Sequence, residues 1–380
     1  MKISVKKALL WLTSVVCGSV IVSGAVLFSW VGDVPAALRF WQTYCVIHKD
    51  YFREISDTKL WDSATDGMVQ ALDDPYSALL MGDNYDNFMK QTTGEYGGIG
   101  VVVGMDADNA FRVVTVFPKS AAEDAGILPG DAIVSVDSLS AEDATIEEIA
   151  QAIRGESGSV VTLHLLRDGE ALTKDVTRSQ ITVPTVETKK LTDEIGYLHV
   201  YSFSQNTAKE FREKLADLKA QGAQKLVLDL RMNPGGMVDV VTEVAGELLT
   251  GGTIVSYHSK NGILHSYDVK GVEKPMPLAV LIDRNSASAA EILAGAVQDK
   301  KEGVVIGETS YGKGTMQMVM PLAKDEVLKL SIAEYLTAAG RKIDQVGITP
   351  DIEIKFSGQL FDSESDSVIL KAVEVLNAQE

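Results

Sequence analysis

Ser288 is the side chain best placed to act as a nucleophile, because it lies where a predicted strand is followed by a predicted helix. Backbone N–H groups in the first turn of a helix have no intrahelical partner, and the helix dipole favours negative charge there. An oxyanion formed beside Ser288 could therefore be stabilised by backbone donors. The alternative is structural, since Ser288 and Glu291 have the spacing of a capping box, in which the serine only caps the helix.

A serine nucleophile requires a base, and Lys313 is the candidate that stands out. It lies between two glycines, after a predicted strand at residues 304–306. A lysine can act as a base where burial lowers its pKa enough to leave it partly neutral, and Ser-Lys dyads are a known variant of the catalytic triad. The alternative is a lysine on a solvent-exposed turn. No motif marks any of the five histidines as a triad member: His48, His164, His199, His258 and His265.

A third segment of interest, Asn233-Pro234-Gly235-Gly236, follows a predicted strand at residues 225–230. Its glycines would let backbone N–H groups approach a substrate carbonyl closely. The ordinary interpretation of such a segment is a turn. Ligands of open α/β sheets bind beyond the carboxyl ends of the strands, where both this segment and the Ser288 segment lie.

The elements that must position these residues alternate between strands and helices. Strands are predicted at residues 197–203, 225–230, 278–282 and 304–306, and helices at residues 206–221, between residues 236 and 251, and at residues 288–300. This alternation predicts an α/β domain with a largely parallel sheet. A last amphipathic helix, residues 368–376, could pack on this core or on a partner chain.

The region before the α/β domain has a different pattern. Residues 33–83 have helix-like spacing of apolar residues. Short β-rich runs then follow at residues 99–103, 111–117, 132–136, 160–166 and 171–176. One helix is predicted at residues 145–154, beginning with the capping box of Thr145 and Glu148. Many strands and few helices indicate a small, separate, mostly β domain.

Three segments, in this order, resemble those of the carboxyl-terminal processing peptidases, also called tail-specific proteases. The segments are Asp229-Leu230-Arg231-x-Asn233-Pro234-Gly235-Gly236, Asn285-Ser286-Ala287-Ser288-Ala289-Ala290-Glu291-Ile292 and Gly312-Lys313-Gly314-Thr315-x-Gln317. The resemblance implies that Ser288 is the nucleophile, Lys313 the general base and Gln317 the residue that orients the lysine. Ser286 is a rival nucleophile that the match disfavours.

The same resemblance implies an oxyanion hole made by the backbone N–H groups of Ala289 and Gly235, with Gly236 as the alternative to Gly235. It implies no metal and no cofactor.

The mostly β region resembles the PDZ domain of this family, on Gly97-Gly98-Ile99-Gly100-Val101, Ser120-Ala121-Ala122, Ala125-Gly126-Ile127 and Pro129-Gly130-Asp131. The implied peptide-binding residues are Gly98, Ile99, Gly100 and Val101. A polypeptide C-terminus would add as a strand along residues 99–103, with its carboxylate held by loop N–H groups. The alternative for the glycine-rich stretch is an ordinary β-turn. Arg154 could report peptide binding to the active site.

The predicted fold is therefore an α/β peptidase core of crotonase/ClpP-like βα units, with an inserted mostly β PDZ domain and an N-terminal helical segment. The predicted boundaries are residues 1–32 for a membrane anchor or signal sequence, 33–84 for the helical segment, 85–182 for the PDZ domain, 183–358 for the peptidase core and 359–380 for a C-terminal helix.

The N-terminus and the charge bear on location and partners. Lys2, Lys6 and Lys7 precede an uncharged apolar run, residues 8–32, which predicts a membrane anchor with the catalytic part outside the cytoplasm, in the cell envelope. The alternative is a cleaved signal peptide, with a small-x-small site at residues 23–25. A net charge of −18 disfavours nucleic acid as a partner.

The predicted function is a serine endopeptidase that recognises exposed C-terminal tails of polypeptide substrates through its PDZ domain and cleaves them with a Ser-Lys dyad. One alternative is a catalytically silent PDZ-containing binding or scaffold protein of the cell envelope. Another is a crotonase-like enzyme, although no acyl-carrier site is recognisable. Because members of the family often assemble through terminal helices, a homodimer is a further expectation.

Overall fold

The computed structural model describes residues 32–378, except residues 94, 106–109, 118 and 143. Residues 8–31 of the predicted membrane anchor lie outside the described residues. Within the part that is described, none of the helices is both long and apolar enough to cross a membrane. The chain divides into two compact units, Met1–Leu79 and Leu80–Glu380.

In its described part, from residue 32 onward, the first unit contains two helices, α1 (Val34–Asp50) and α2 (Asp57–Gln70). Asp33 caps α1 by accepting a hydrogen bond from the N–H of Ala36, and Ser56 caps α2 in the same way. The predicted helical segment is thus confirmed, although it also contains a short strand, β1 (Ala78–Met81).

The second unit begins with α3 (Asp83–Thr93) and with a two-stranded antiparallel ribbon, β2 (Glu95–Gly98) and β9 (Ser179–Thr182). Between the ribbon strands lies a mostly β domain. Its elements are β3 (Val101–Met105), β4 (Phe111–Val116), α4 (Ala121–Asp124), β5 (Ala132–Val136), β6 (Leu139–Ser140), α5 (Ile146–Ile153), β7 (Val160–Arg167) and β8 (Glu170–Thr177). The strand order is β3-β4-β5-β7-β8, with β6 paired to β5. The five predicted strands and the capped helix at Thr145 are all present.

A largely parallel sheet forms the centre of the α/β domain, as the strand–helix alternation predicted. Its order is β10 (Val186–Lys190), β11 (Ile195–Val200), β12 (Lys225–Asp229), β15 (Leu278–Ile282), β16 (Val304–Gly307) and β19 (Ile352–Glu353), and only the pairing of β10 with β11 is antiparallel among these described strands. The helices of the domain are α6 (Thr207–Ala220), α7 (Val238–Leu248), α8 (Ala289–Lys300) and α9 (Ser367–Asn377).

Both faces of this sheet are covered. Alternate residues of a strand point to opposite faces, so Leu226 and Leu228 join one hydrophobic core with α6, α7 and α8. Val227 joins the core on the other face, together with Ile369 and Leu376 of α9. The last helix therefore packs on the chain's own core, which is one of the two arrangements that its amphipathic pattern allowed.

Four strands that the sequence pattern did not predict form an antiparallel sheet in the α/β domain. They are β13 (Thr250–Ser259), β14 (Leu264–Gly271), β17 (Thr315–Ala323) and β18 (Glu326–Thr337), in which β14 pairs with β13, β13 with β18 and β18 with β17. Two of these three pairings contain register shifts, which break the alternation of apolar and polar residues on which strand prediction depends. β17 begins directly after Gly314 and therefore carries Gln317, one of the candidate site residues.

Burial in the hydrophobic core of the mostly β domain predicts which leucine contributes to its stability. Leu163 of β7 is fully buried, whereas Leu166 of the same strand is 41% exposed. Leu163→Ala should lower the free energy of unfolding of this domain by about 2–5 kcal/mol, because it leaves a cavity in a packed core. Leu166→Ala is the matched control and should cost roughly 1 kcal/mol or less. Urea denaturation followed by circular dichroism measures both, and equal losses would contradict the assignment of Leu163 to the core.

Candidate active site

Three loops meet at the carboxyl edge of the parallel sheet. The glycine loop (residues 232–236) follows β12, the serine loop (residues 283–288) follows β15, and the lysine loop (residues 310–314) follows β16. Since β12, β15 and β16 are adjacent and parallel, their carboxyl ends bring these loops to the same edge. The structure thus collects the three segments that the sequence singled out.

Hydrogen bonds join the glycine loop to the serine loop. The N–H of Ala287 donates to the carbonyl oxygen of Asn233 at 2.9 Å, and the N–H of Met232 donates to Asp283 Oδ1 at 3.0 Å. Ser286 is fully buried, and its Oγ donates to the carbonyl oxygen of Leu230 at 2.8 Å. The Ser286 hydroxyl therefore holds the loop to the end of β12, and these contacts favour Ser288 over Ser286 as the nucleophile.

The carboxylate of Glu291 joins the serine loop to the lysine loop. Its Oε2 accepts from the backbone N–H of Ser288 at 2.7 Å and from that of Lys313 at 2.9 Å. Its Oε1 accepts from the N–H of Gly312 at 2.7 Å and from Ser310 Oγ at 2.6 Å. The side chain is fully buried. One carboxylate thus fixes the backbone of both the candidate nucleophile and the candidate base.

The charge state of Glu291 follows from its surroundings. Burial raises the pKa of this carboxyl group, and the hydrogen bonds from Ser310, Gly312, Ser288 and Lys313 oppose the rise. Backbone N–H groups can only donate, and an ionised carboxylate has acceptor sites for all four donors. The two oxygens of Glu291 therefore act as acceptors for the donors of both loops.

Ser288 lies in an unusual backbone conformation. Its φ is 54° and its ψ is −113°, a combination that residues other than glycine rarely adopt. Such strain costs about 1–3 kcal/mol and persists only where neighbouring contacts impose it. A strained turn from strand to helix presents the nucleophilic serine of the α/β-hydrolases. The residue is 9% exposed, whereas Ser286 is fully buried.

Backbone donors lie close to Ser288. A Cβ atom added to Gly235 would lie 2.7 Å from the Cβ of Ser288 and 2.9 Å from the backbone nitrogen of Ala289, so only glycine fits there. The N–H of Gly235 donates to Asn233 Oδ1 at 2.8 Å. In the described part of the chain, the N–H groups of Ala289 and Gly236 have no acceptor. The backbone of Gly235 thus lies close to Ser288, but its N–H is engaged by Asn233, and the N–H without an acceptor belongs to Gly236.

Lys313 and Gln317 lie on either side of the start of β17. The Lys313 side chain is half-buried. The amide nitrogen of Gln317 donates to Thr315 Oγ1 at 2.9 Å and to Ser331 Oγ at 3.0 Å. These bonds set the orientation of the Gln317 amide and leave its Oε1 as the group that can accept from a lysine.

The predicted peptide site of the mostly β domain lies at the edge of its sheet. β3 pairs with β4, and within the described strands it has no partner on its other side. Ile99 is buried in the core of the domain, and its carbonyl oxygen accepts from Ala122. Gly100 has a φ of 84°. Gly98 pairs with Ser179 in the ribbon. The glycine-rich loop thus leads directly into an edge strand to which a peptide can add.

Two parts of the site were not recognised from the sequence. The pairing of Glu291 with Ser288 follows from the capping-box spacing, but its bonds to Gly312 and Lys313 join residues that are distant in sequence. A fully buried cluster around Arg231 also lies behind the glycine loop. No group of three or more His, Cys, Asp or Glu residues able to hold a metal ion is found among the residues described.

Models of three protein families match parts of this chain. The model of Peptidase family S41 matches residues 194–354, a PDZ domain model matches residues 112–167, and the model of the activating protease CtpB N-terminal domain matches residues 35–84.

Curated proteins match over most of the chain, and two of them illustrate the similarity. The carboxy-terminal processing protease CtpA of Bacillus subtilis (strain 168) is 35% identical over 318 residues, which are 82% of this chain and 67% of that protein. The carboxy-terminal-processing protease of Bartonella bacilliformis is 34% identical over 326 residues, which are 83% of this chain and 74% of that protein. A Bacteroides fragilis structure assigned to the S41 proteases has the same fold, with a TM-score of 0.55 and 16% identity over 88% of this chain and 96% of that one.

Glu291→Gln tests the link between the loops. The amide NH₂ would face backbone donors and leave them unsatisfied, so we expect a loss of roughly 2 kcal/mol or more in the free energy of unfolding. Hydrogen exchange at the amides of Gly312 and Lys313 should become faster in the same variant. Glu308→Gln is the control, because Glu308 pairs with the exposed Arg284. Unchanged exchange at both amides in the Glu291 variant would show that the carboxylate does not hold the lysine loop.

Proposed function

Because the chain belongs to Peptidase family S41, the carboxyl-terminal processing proteases, we propose that it cleaves polypeptide substrates through attack by Ser288 with Lys313 as the base. The observation that carries this proposal is the Glu291 carboxylate, which bonds the backbone N–H groups of both residues. Membership of this peptidase family also argues against the alternative of a crotonase-like enzyme.

The proposed reaction is acyl transfer in two steps. The neutral amine of Lys313 takes the proton of the Ser288 hydroxyl as Oγ attacks the carbonyl carbon of the scissile peptide bond. The resulting ammonium then gives this proton to the leaving amine, which departs as the C-terminal fragment. Water deprotonated by Lys313 next attacks the ester on Ser288. As the ester C–O bond breaks, the ammonium of Lys313 returns the proton to Ser288 Oγ, and the N-terminal fragment leaves as a carboxylic acid. Gln317 orients the lysine by accepting from its Nζ.

The oxyanion of each tetrahedral intermediate needs donors in place before the reaction. We propose the N–H of Ala289 as one donor, since it lies in the first turn of α8 and has no acceptor among the described residues. The second donor is Gly236 rather than Gly235 in the arrangement seen here, because the N–H of Gly235 is engaged by Asn233. Gly235 would serve in that role only if this bond opened.

The PDZ domain is the proposed binding site for the C-terminal tail of the substrate. The relatives from Bacillus subtilis and Bartonella bacilliformis are carboxy-terminal processing proteases. For this chain, we propose that a tail adds to the exposed edge of β3 and that residues 98–100 hold its carboxylate.

Location and assembly are also proposals. Three lysines ahead of an apolar run support an anchor in the membrane, with the peptidase outside the cytoplasm. A homodimer would use surfaces other than the buried face of α9, because the chain's own core covers that face.

Substitution of the dyad is the direct test of the proposal. Ser288→Ala and Lys313→Ala should each reduce kcat for peptide cleavage by roughly 10³-fold or more while the protein stays folded, as expected for residues that act as one catalytic unit. Ser286→Ala is the matched control and should keep measurable cleavage, since Ser286 has a structural bond. Full activity in both folded dyad variants would refute this mechanism. A wild-type protein that binds tails without cleaving them would instead indicate the scaffold function.

The pH dependence of cleavage tests the base. Only a neutral amine can accept the serine proton, so kcat/KM should rise with increasing pH over the range in which the lysine loses its proton. Stopped assays from mildly acidic to mildly alkaline pH measure the profile, with circular dichroism at each pH to verify folding. A flat profile over that range would count against a lysine base.

Peptide capture by the PDZ domain can be measured separately from cleavage. In the Ser288→Ala protein, a peptide with a free C-terminal carboxylate should bind about tenfold more tightly than the same peptide with an amidated C-terminus, because a charge-assisted hydrogen bond is lost. Fluorescence anisotropy gives both dissociation constants. Equal affinities would mean that the carboxylate is not recognised.

A further inference from the structure

A buried arginine lies immediately before the glycine loop. Arg231 is 2% exposed, and its Nε donates to Asp229 Oδ1 at 2.9 Å. Its Nη2 lies 2.5 Å from Asp229 Oδ2, and the hydroxyl of Tyr197 donates to that same oxygen at 2.8 Å. One carboxylate therefore receives donors from two side chains at the end of β12.

The other half of the guanidinium binds an acid from the C-terminal segment. Arg231 Nη1 donates to Asp366 Oδ1 at 3.1 Å, and Nη2 lies 2.9 Å from Asp366 Oδ2. Asp366 is fully buried and also caps α9, since its Oδ1 accepts from the N–H of Val368 at 3.0 Å. The N–H of Phe361 donates to its Oδ2 at 2.9 Å. Asp366 thus anchors the C-terminal segment to the strand that carries the glycine loop.

The charges of this cluster depend on one another. One guanidinium serves two fully buried carboxylates, Asp229 and Asp366, and the N-terminus of α9 adds a favourable dipole for the second. A buried charge without its partner is strongly unfavourable. Removal of Asp366 would therefore leave half of the Arg231 fork without an acceptor in an apolar setting, and the arginine would shift to regain one.

A shift of Arg231 would reach the site through a short path. Met232 follows directly, with a φ of 60°, and its N–H is held by Asp283 of the serine loop. Three residues later, Gly235 lies against Ser288, with no room for a Cβ atom. Since interiors are close-packed, a change at Arg231 is transmitted to both loops rather than absorbed.

We propose that Asp366 is a positioning residue for the peptidase reaction, acting through Arg231 on the glycine loop. This inference rests on the proposed roles of Ser288 and of the glycine loop. Asp366 lies beyond residue 354, where the match to the peptidase family model ends, and within the segment predicted as a separate C-terminal helix. The C-terminal segment would thus contribute a positioning residue to the peptidase core.

The test is Asp366→Asn, because asparagine caps helices as well as aspartate does but removes the charge that faces Arg231. The expected result is a fall in kcat of about tenfold or more, with KM changed less than about threefold. Leu376→Ala is the control for stability alone, since Leu376 is a buried residue of the same helix. This control should lower the melting temperature and keep kcat at a temperature well below unfolding.

Arg231→Lys approaches the same contact from the other side, in case one variant does not fold. The double variant Arg231→Lys/Asp366→Asn should lose no more kcat than the worse single variant, because both changes break one interaction. A folded Asp366→Asn protein with unchanged kcat, or an equal loss of kcat in Leu376→Ala, would overturn the proposal. Ser288→Ala is assayed in parallel. Activity in that variant refutes the nucleophile, whereas an inactive Ser288→Ala beside an unchanged Asp366→Asn refutes only the positioning role.

Discussion

The active site depends on one buried carboxylate. Parallel strands bring the serine and lysine loops to the same edge of the sheet, but adjacency alone does not set their relative positions. Glu291 does so by accepting from Ser288 and Ser310, and from the consecutive amides of Gly312 and Lys313. A movement of either loop would leave buried hydrogen-bonding groups without partners, which is unfavourable. The positions of the two loops are therefore coupled.

That coupling explains how the strained backbone of Ser288 is tolerated. A φ of 54° at a residue with a side chain is unfavourable by itself. The bond from the Ser288 N–H to Glu291 holds the turn on one side, and the backbone of Gly235 fills the space on the other. The serine therefore has little freedom to relax into an ordinary helix cap. Ala289 and Gly236, the residues that directly follow Ser288 and Gly235, have N–H groups with no acceptor among the described residues.

Sequence patterns predicted the structural features that depend on residues close together in the chain. Residues 225–230 and 278–282 were recognised as strands because both are continuous apolar runs, and the Thr145 capping box spans only four residues. The antiparallel sheet of β13, β14, β17 and β18 was not predicted, since register shifts disturb its alternation. The contact of Arg231 with Asp366 spans 135 positions of sequence, and local periodicity carries no information about it.

Glu291 and Asp366 show why a local interpretation was incomplete rather than wrong. Each lies at the start of a helix and accepts from backbone N–H groups there, as a capping acid does. A carboxylate has more acceptor sites than a cap uses, and burial makes unused sites unfavourable. The remaining sites are therefore filled from elsewhere in the chain, by the lysine loop for Glu291 and by Arg231 for Asp366. A buried capping acid is thus a residue through which a short motif comes to fix distant parts of a site.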